Sequence, residues 1–195
     1  MTKISIVYHS GYGHTAKQAE AVALGAASVA GAHTQLVPVE KIDQHWSDLE
    51  AADAIIFGSP TYMGSVSAPF KSFMDASSKV WFQQKWKDKI AAGFTNSAGH
   101  SGDKLNTLIQ LVVFAAQHSM HWVNLGLMPG NSSSTGSPED LNRLSGYLGA
   151  MAQSNSDVAP EIAPAGSDLR TAAHLGQRVA EVAQRLALGL ERKVA

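Results

Sequence analysis

The sequence predicts an α/β protein with a doubly wound, five-stranded parallel sheet and helices on both faces. Strand-like apolar runs alternate with helix-like segments along the whole chain of 195 residues, which is the pattern of a parallel sheet covered on both sides. The chain contains no internal repeat and no linker long enough to divide it. We therefore expect a single domain over residues 1–195.

The first half of the chain predicts three strands separated by helices. The strands are short apolar or β-branched runs, and the helices show apolar side chains at intervals of three and four residues. We place strands at 4–8, 34–39 and 54–57, with Gly58-Ser59-Pro60 ending the third. Helices are expected at 14–30, briefly at 46–49, and from Pro69 onward.

The second half continues the alternation. Strands are predicted at 90–95 and 147–153, residues 121–127 are expected to extend the sheet edge, and helices are expected at 104–117 and 169–190. The stripe of helix 104–117 that we expect to face the sheet is Leu105, Leu108, Ile109, Val112, Val113 and Ala116. Leu111 and Phe114 lie outside that stripe and therefore indicate self-association through this helix.

Composition excludes several classes of function. The chain has no cysteine, so disulfides, iron–sulfur clusters and thiolate catalysis are excluded and redox chemistry requires a cofactor. A net charge of −1 argues against a nucleic-acid partner and favours small molecules. The first strand begins at once and no apolar run approaches about 20 residues. We expect a cytoplasmic, soluble protein with no membrane partner.

The segment SGYGHT, residues 10–15, follows the first strand and opens the first helix, so it has the position of a phosphate-binding loop. Two interpretations are open for this loop. Gly11 to Ala16 fits the G-x-G-x-x-G/A dinucleotide pattern, with Glu40 as the later acidic residue. Alternatively, the hydroxyls of Ser10 and Thr15, with the amides between them, suit a single terminal phosphate.

Two further loops favour the second interpretation. GSPTYMGS follows the third strand and TNSAGHSG follows the fourth, and loops at the carboxyl ends of parallel strands meet at one edge of the sheet. Each carries glycine, hydroxyl groups and little charge. A flat polar ring bound by its edge needs both loops, whereas a dinucleotide does not. Flavin mononucleotide (FMN) has such a ring and one phosphate monoester.

These loops, together with Gln117-His118-Ser119-Met120, resemble the cofactor segments of flavodoxin-like NAD(P)H:quinone oxidoreductases, the group typified by the tryptophan-repressor-binding protein. The resemblance implies strand order 2-1-3-4-5, FMN as bound cofactor, NAD(P)H as electron donor, a quinone-like acceptor and a homodimer or homotetramer. It also implies that the phosphate is held by Ser10, Tyr12, Gly13, His14 and Thr15. It places the ring among Pro60, Thr61, Tyr62, Met63, Gly64, Asn96, Ser97, Ala98 and Gly99.

The same resemblance places Trp81 and His118 beside the substrate, as catalytic residues. The chain departs from the family pattern near His118, where Gln117 replaces a histidine and Ser119 a glycine. His118 and His121 have a spacing that metal ligands also show, but no third ligand accompanies them, so we expect no metal site. An ordinary histidine pKa of about 6.5 would let His118 donate a hydrogen bond or a proton to the acceptor.

The leading hypothesis is that NAD(P)H reduces the bound flavin and a quinone then removes two electrons. A one-electron carrier of the flavodoxin type is the first alternative, although such carriers usually use a strongly acidic surface. A module that binds FMN without catalysis is the second alternative. Serine hydrolysis is disfavoured because no G-x-S-x-G segment is present.

Overall fold

The computed structural model describes residues 1–194, and side chains through residue 189. Five strands form a parallel sheet, and their bounds are β1, Thr2–Tyr8; β2, Ala32–Pro38; β3, Ala54–Tyr62; β5, Ile90–Ser97; and the short edge strand β6, His121–Trp122. The order is β2-β1-β3-β5-β6. This confirms the predicted flavodoxin-like strand order, with one complication at the last strand.

The last strand position is divided between two short segments. β6 pairs with residues 90–91 of β5, whereas β7, Ala150–Gln153, pairs with residues 94–97 of the same strand. Residues 123–149 lie between them as an irregular insertion, with a hydrogen bond from Leu125 N to the Tyr147 carbonyl at its base. The predicted strands 121–127 and 147–153 are thus two halves of the same edge, each shorter than expected.

Strand β3 is longer than the sequence predicts. It continues through Gly58-Ser59-Pro60 and turns at Met63 and Gly64, both with positive φ, into the antiparallel strand β4, Ser65–Val66. The expectation that Pro60 ends the strand was wrong because a proline removes only one ladder donor. Ser59 and Pro60 remain in register with Thr95 and Asn96 of β5.

Helices cover both faces of the sheet. Side chains alternate along the strands, so Ile4, Ile6 and Ile56 face one layer while Val7, Ile55 and Phe57 face the other. The first layer contains α1, His14–Ala27, and α6, Gly166–Val194. The second contains α2, Trp46–Ala51, preceded by a 3₁₀ helix at Val39–Gln44, then α3, Ala68–Ala76, α4, Ser78–Phe82, and α5, Lys104–Gln117.

Helix α5 has the predicted bounds but a different buried face. Leu108, Leu111 and Phe114 are buried, whereas Leu105, Ile109 and Val113 are exposed. The helix is apolar on more than one side, so helical periodicity alone does not show which apolar stripe, the predicted or the observed one, faces the sheet. Leu111 and Phe114 are core residues and give no sign of self-association.

Candidate functional site

The loop between β1 and α1 has the features of a phosphate cradle. Ser10 Oγ accepts a hydrogen bond of 3.0 Å from Ala16 N in the first turn of the helix. Gly13 has φ of +88°, a left-handed conformation that disfavours other residues. Among the described residues, the N–H groups of residues 12–15 have no acceptor. These amides and the positive end of the α1 dipole point to an anion site.

Thr15 supplies a hydroxyl to this cradle. The residue is 2% exposed and lines the cavity described below. Its hydroxyl has no hydrogen-bond partner within the described part of the chain, and the side-chain oxygen is not fully buried. A buried hydroxyl that still reaches the cavity is suited to donate to a phosphate oxygen.

A segment that we did not predict as part of the site covers this loop. The connector between β7 and α6, residues 154–165, places Pro160 over Gly13 and Val158 beside His14, whose Nε2 donates to the Val158 carbonyl at 2.7 Å. A Cβ on Gly13 would lie 2.8 Å from Pro160 Cγ. The Ala/Pro/Ser-rich composition of this segment predicts only a connector. No local sequence signal indicates that the segment folds over the loop between β1 and α1, which lies far earlier in the chain.

The second loop joins the first through aromatic contacts. The rings of Tyr12 and Tyr62 meet edge to face with centroids 6.4 Å apart, and the Tyr62 hydroxyl lies 2.6 Å from where a Cβ on Gly11 would be. Thr61 is committed to the scaffold, because its hydroxyl is 2.8 Å from both Thr95 Oγ1 and Thr107 Oγ1. Met63 is fully exposed at the adjacent turn.

The third loop, residues 97–100, is held by hydrogen bonds from other segments of the chain to its carbonyl groups. The carbonyl of Ser97 accepts from Ser154 N at 3.1 Å, and that of Ala98 accepts from Gln153 Nε2 at 2.8 Å. The carbonyls of residues 99 and 100 accept from Lys104 Nζ at 2.7 and 2.8 Å. Asn96 Oδ1 accepts from Ser154 Oγ at 3.0 Å. The loop is therefore fixed before any ligand arrives.

The three loops enclose a cavity of about 320 Å³ at the carboxyl edge of the sheet. Its predicted lining residues are Tyr12, His14, Thr15, Pro60, Thr61, Tyr62, Asn96, Ser97 and Ala98, and Ser156 of the connector was not predicted. Ser10, Gly13, Met63, Gly64 and Gly99 shape the surrounding turns. Within the described residues, the lining contains no Asp, Glu, Lys or Arg, so an anion would meet no opposing carboxylate.

Trp81 and His118 lie elsewhere. They line a second pocket of about 520 Å³ between α3, α4 and α5, which has no lining residue in common with the first. Trp81 is 44% exposed, whereas His118 is 3% exposed and packs against Trp86 and Phe114 at centroid distances of 4.4 and 4.9 Å. One chain therefore does not bring these two residues to the cofactor loops.

His118 is neutral in this setting. Burial lowers its pKa to about 4, so the imidazolium that a proton donor requires is absent at pH 7. Nε2 lies 2.9 Å from Ser77 Oγ, whose own proton is directed to the Met74 carbonyl at 2.7 Å. Nε2 is then the donor and Nδ1 the buried, unpaired acceptor. The proton-donor expectation does not fit this geometry, and a hydrogen-bonding role stays a prediction.

The described residues contain no group of three or more His, Cys, Asp or Glu side chains that could hold a metal ion. They also include no helix long and apolar enough to cross a membrane.

The parallel sheet, its strand order and the three loops define a flavodoxin-like protein with a site for a phosphate-bearing ring. Residues 13–132 match the family described as NADPH-dependent FMN reductase. The chain belongs to this family and to its WrbA-like members.

Individual relatives agree with this assignment. The chain is 44% identical to a Pseudomonas aeruginosa protein named Flavodoxin FldP, over 95% of this chain and 99% of that one. It is 32% identical to an Archaeoglobus fulgidus protein named NAD(P)H dehydrogenase (quinone), over 95% and 100%. A flavodoxin, WrbA-like protein from Agrobacterium tumefaciens superimposes with a TM-score of 0.75 at 45% identity, over 95% and 99%.

FMN fits the cavity on chemical grounds. The free amides of the first loop and the Thr15 hydroxyl match a phosphate monoester, while the fixed polar loop 97–100 matches the heteroatom edge of a flat ring. The family and these donors together identify FMN as the cofactor and the chain as an FMN-dependent oxidoreductase.

Proposed function

We propose that this protein transfers two electrons from NAD(P)H to a quinone or a similar small acceptor. The observation that carries the proposal is the cavity itself. Among the described residues its lining contains no Asp, Glu, Lys or Arg and includes the exposed rings of Tyr12 and Tyr62, and exposed Met63 lies at the adjacent turn. Aromatic and thioether groups at the mouth of a flavin site suit contact with the flat rings of nicotinamide and quinone. The names of the relatives that are 32–34% identical point to the same chemistry.

FMN, when bound, supplies the ability to accept a hydride and to pass two electrons on. The contribution of this chain is to hold the cofactor and to set its surroundings. Residues 10–15 would bind the phosphate, Pro60 and Tyr62 would contact the ring, and residues 96–99 would present hydrogen-bond donors to its polar edge. Because these donors are fixed by Lys104 and Gln153, they need no rearrangement when charge develops.

A one-electron carrier is the second candidate, and the name Flavodoxin FldP of a relative at 44% identity favours it. The net charge of −1 gives little electrostatic steering toward a protein partner. Anaerobic mixing of the FMN-loaded protein with NADPH, then NADH, followed by a quinone separates the candidates. The reductase predicts rapid bleaching of the flavin absorbance and its rapid recovery on adding quinone.

Failure of both nucleotides to bleach the flavin would refute the reductase. Reduction in two separate one-electron steps during a redox titration would favour the carrier. A purified protein that takes up no added FMN would refute both redox functions and leave a binding module without FMN.

We also propose that the protein acts as a homodimer or homotetramer in the cytoplasm, as a single FMN-binding domain. The exposed stripe Leu105, Ile109 and Val113 borders the second pocket, and two of its members line that pocket. An assembly through this stripe would place the second pocket, which Trp81 and His118 line, against another chain. Sedimentation of wild type and an Ile109→Lys variant tests it, since a charge in a buried interface is costly, and an unchanged mass would contradict this interface.

A further inference from the structure

Lys104 is a buried lysine whose hydrogen bonds all go to one loop. It is the first residue of α5 and is 1% exposed. Its Nζ donates to Ser97 Oγ at 2.8 Å, to the Gly99 carbonyl at 2.7 Å and to the His100 carbonyl at 2.8 Å. Three acceptors match the three protons of an ammonium group, so the charged form is the one that this site accommodates.

The position is electrostatically unfavourable without an anion nearby. A cation at a helix N-terminus opposes the helix dipole, and within the described residues no carboxylate lies within ion-pair distance of Lys104. Burial lowers the pKa of Lys104 to about 8, with Asp168 partly offsetting this effect and Arg143 adding to it. The three hydrogen bonds of Nζ offset part of this cost, and a negative charge near the loop would lower it further.

The loop that Lys104 holds has bound carbonyl groups and unpaired amides. All four carbonyls of residues 97–100 are bound by donors from the protein. In the described chain, the N–H groups of residues 98–100 have no acceptor. Ser97 and Ala98 line the cavity. The unpaired amides and the ammonium thus both add positive potential to the loop whose first two residues line the cavity.

Reduction supplies the missing negative charge. A hydride, which is two electrons and one proton, adds to the neutral oxidised flavin ring, and the product carries one negative charge at its polar edge. The hydride comes from NAD(P)H, which leaves as NAD(P)⁺, so electrons and charge balance. This step rests on the proposed function, in which the ring lies against residues 96–99.

We propose that Lys104 is a positioning residue that fixes loop 97–100 against the ring and, through its buried charge, stabilises reduced FMN over oxidised FMN. Lys104 therefore raises the reduction potential of the bound cofactor. It acts through the loop and through its field, without touching the reacting atoms.

The test measures the midpoint potential of bound FMN and the dissociation constants of both redox states, in wild type and Lys104→Met. We expect the variant to lose at least tenfold more affinity for reduced than for oxidised FMN. A tenfold difference equals a decrease of about 30 mV for a two-electron couple. Lys104→Arg keeps the charge and should retain most of the wild-type potential.

A matched neutral control separates charge from loop order. Gln153→Leu removes the bond to the Ala98 carbonyl without changing the charge, so it should weaken both redox states by the same factor. If Lys104→Met does not fold, Lys104→Gln, which keeps donors, replaces it with the same expectation.

An unchanged potential in a folded neutral variant would overturn the inference, as would an equal shift in Gln153→Leu. In both cases FMN binding by the wild type would leave the proposed function standing. A wild type that binds no FMN would instead refute the proposed function and the inference together.

Discussion

Replacing Thr15 with valine tests whether the first loop holds a phosphate. Valine keeps the branched shape of threonine and removes only the hydroxyl, which lies in the cavity lining at the start of α1 with no partner in the described chain. The fold should therefore tolerate the change. Any loss should concern the ligand group that the hydroxyl contacts.

The magnitude follows from the charge of that group. A hydrogen bond to a charged partner contributes about 1.5–3 kcal/mol, which corresponds to an increase in the FMN dissociation constant of about 10- to 150-fold. Riboflavin has the same ring and no phosphate, so its affinity should be unaffected. The difference between the two ligands is what identifies the phosphate contact.

Fluorescence titrations of the apoprotein with FMN and with riboflavin give both dissociation constants. Thr34→Val, a half-buried threonine on β2 outside the cavity, controls for the substitution itself. An equal loss for both ligands would show that Thr15 supports the ring or the fold. An FMN affinity within twofold of wild type would refute the phosphate assignment.

The remaining predictions concern backbone, pH and turnover. Gly13→Ala should destabilise the fold by about 1–2 kcal/mol, because φ is +88° and Pro160 is close. The control Gly189→Ala, where the added methyl group meets open space, should stabilise α6 slightly. Thermal denaturation compares the two variants, and equal effects would contradict backbone strain at Gly13. Burial lowers the pKa of His118 to about 4, so between this value and about 6.5 the unfolded chain binds a proton that the folded chain does not, and the free energy of unfolding should fall as the pH drops through this range. Urea titrations of His118→Gln should lack this part of the loss. An identical pH dependence in wild type and variant would show that the imidazole is exposed to water. His118→Ala should still bind FMN, because the imidazole ring is outside the cavity, and its turnover should be slower than that of wild type. Normal steady-state rates in a folded variant would show that His118 takes no part in the mechanism.

The positions of the main elements could be predicted from local pattern. Helix α5 has its predicted bounds, and the strand of residues 90–95 differs from β5 by only two residues. Such elements are long and strongly periodic, so neighbouring residues carry the information. The predicted third strand is too short because the prediction relied on a proline, which is a local signal. The pairing with β5 that extends the strand involves residues far away in the sequence.

The candidate site could be predicted in part for a topological reason. Loops after parallel strands meet at one edge whatever their side chains, so three polar loops were enough to place the cavity. Lys104 gave one usable signal, since a lysine at a helix N-terminus opposes the dipole. Ser156 gave none, because its segment reaches the cavity only by folding back over Gly13.

By itself, the sequence determined the order of strands and helices, the three loops and, through their chemistry, the kind of cofactor they bind. Only the tertiary structure decided which stripe of α5 is buried, that His118 is a neutral core residue apart from the cavity, and that Lys104 is sealed behind the third loop. Periodicity and spacing describe residues within a few positions of each other. Burial and charge depend on contacts between segments far apart in the chain, and these exist only once the chain has folded.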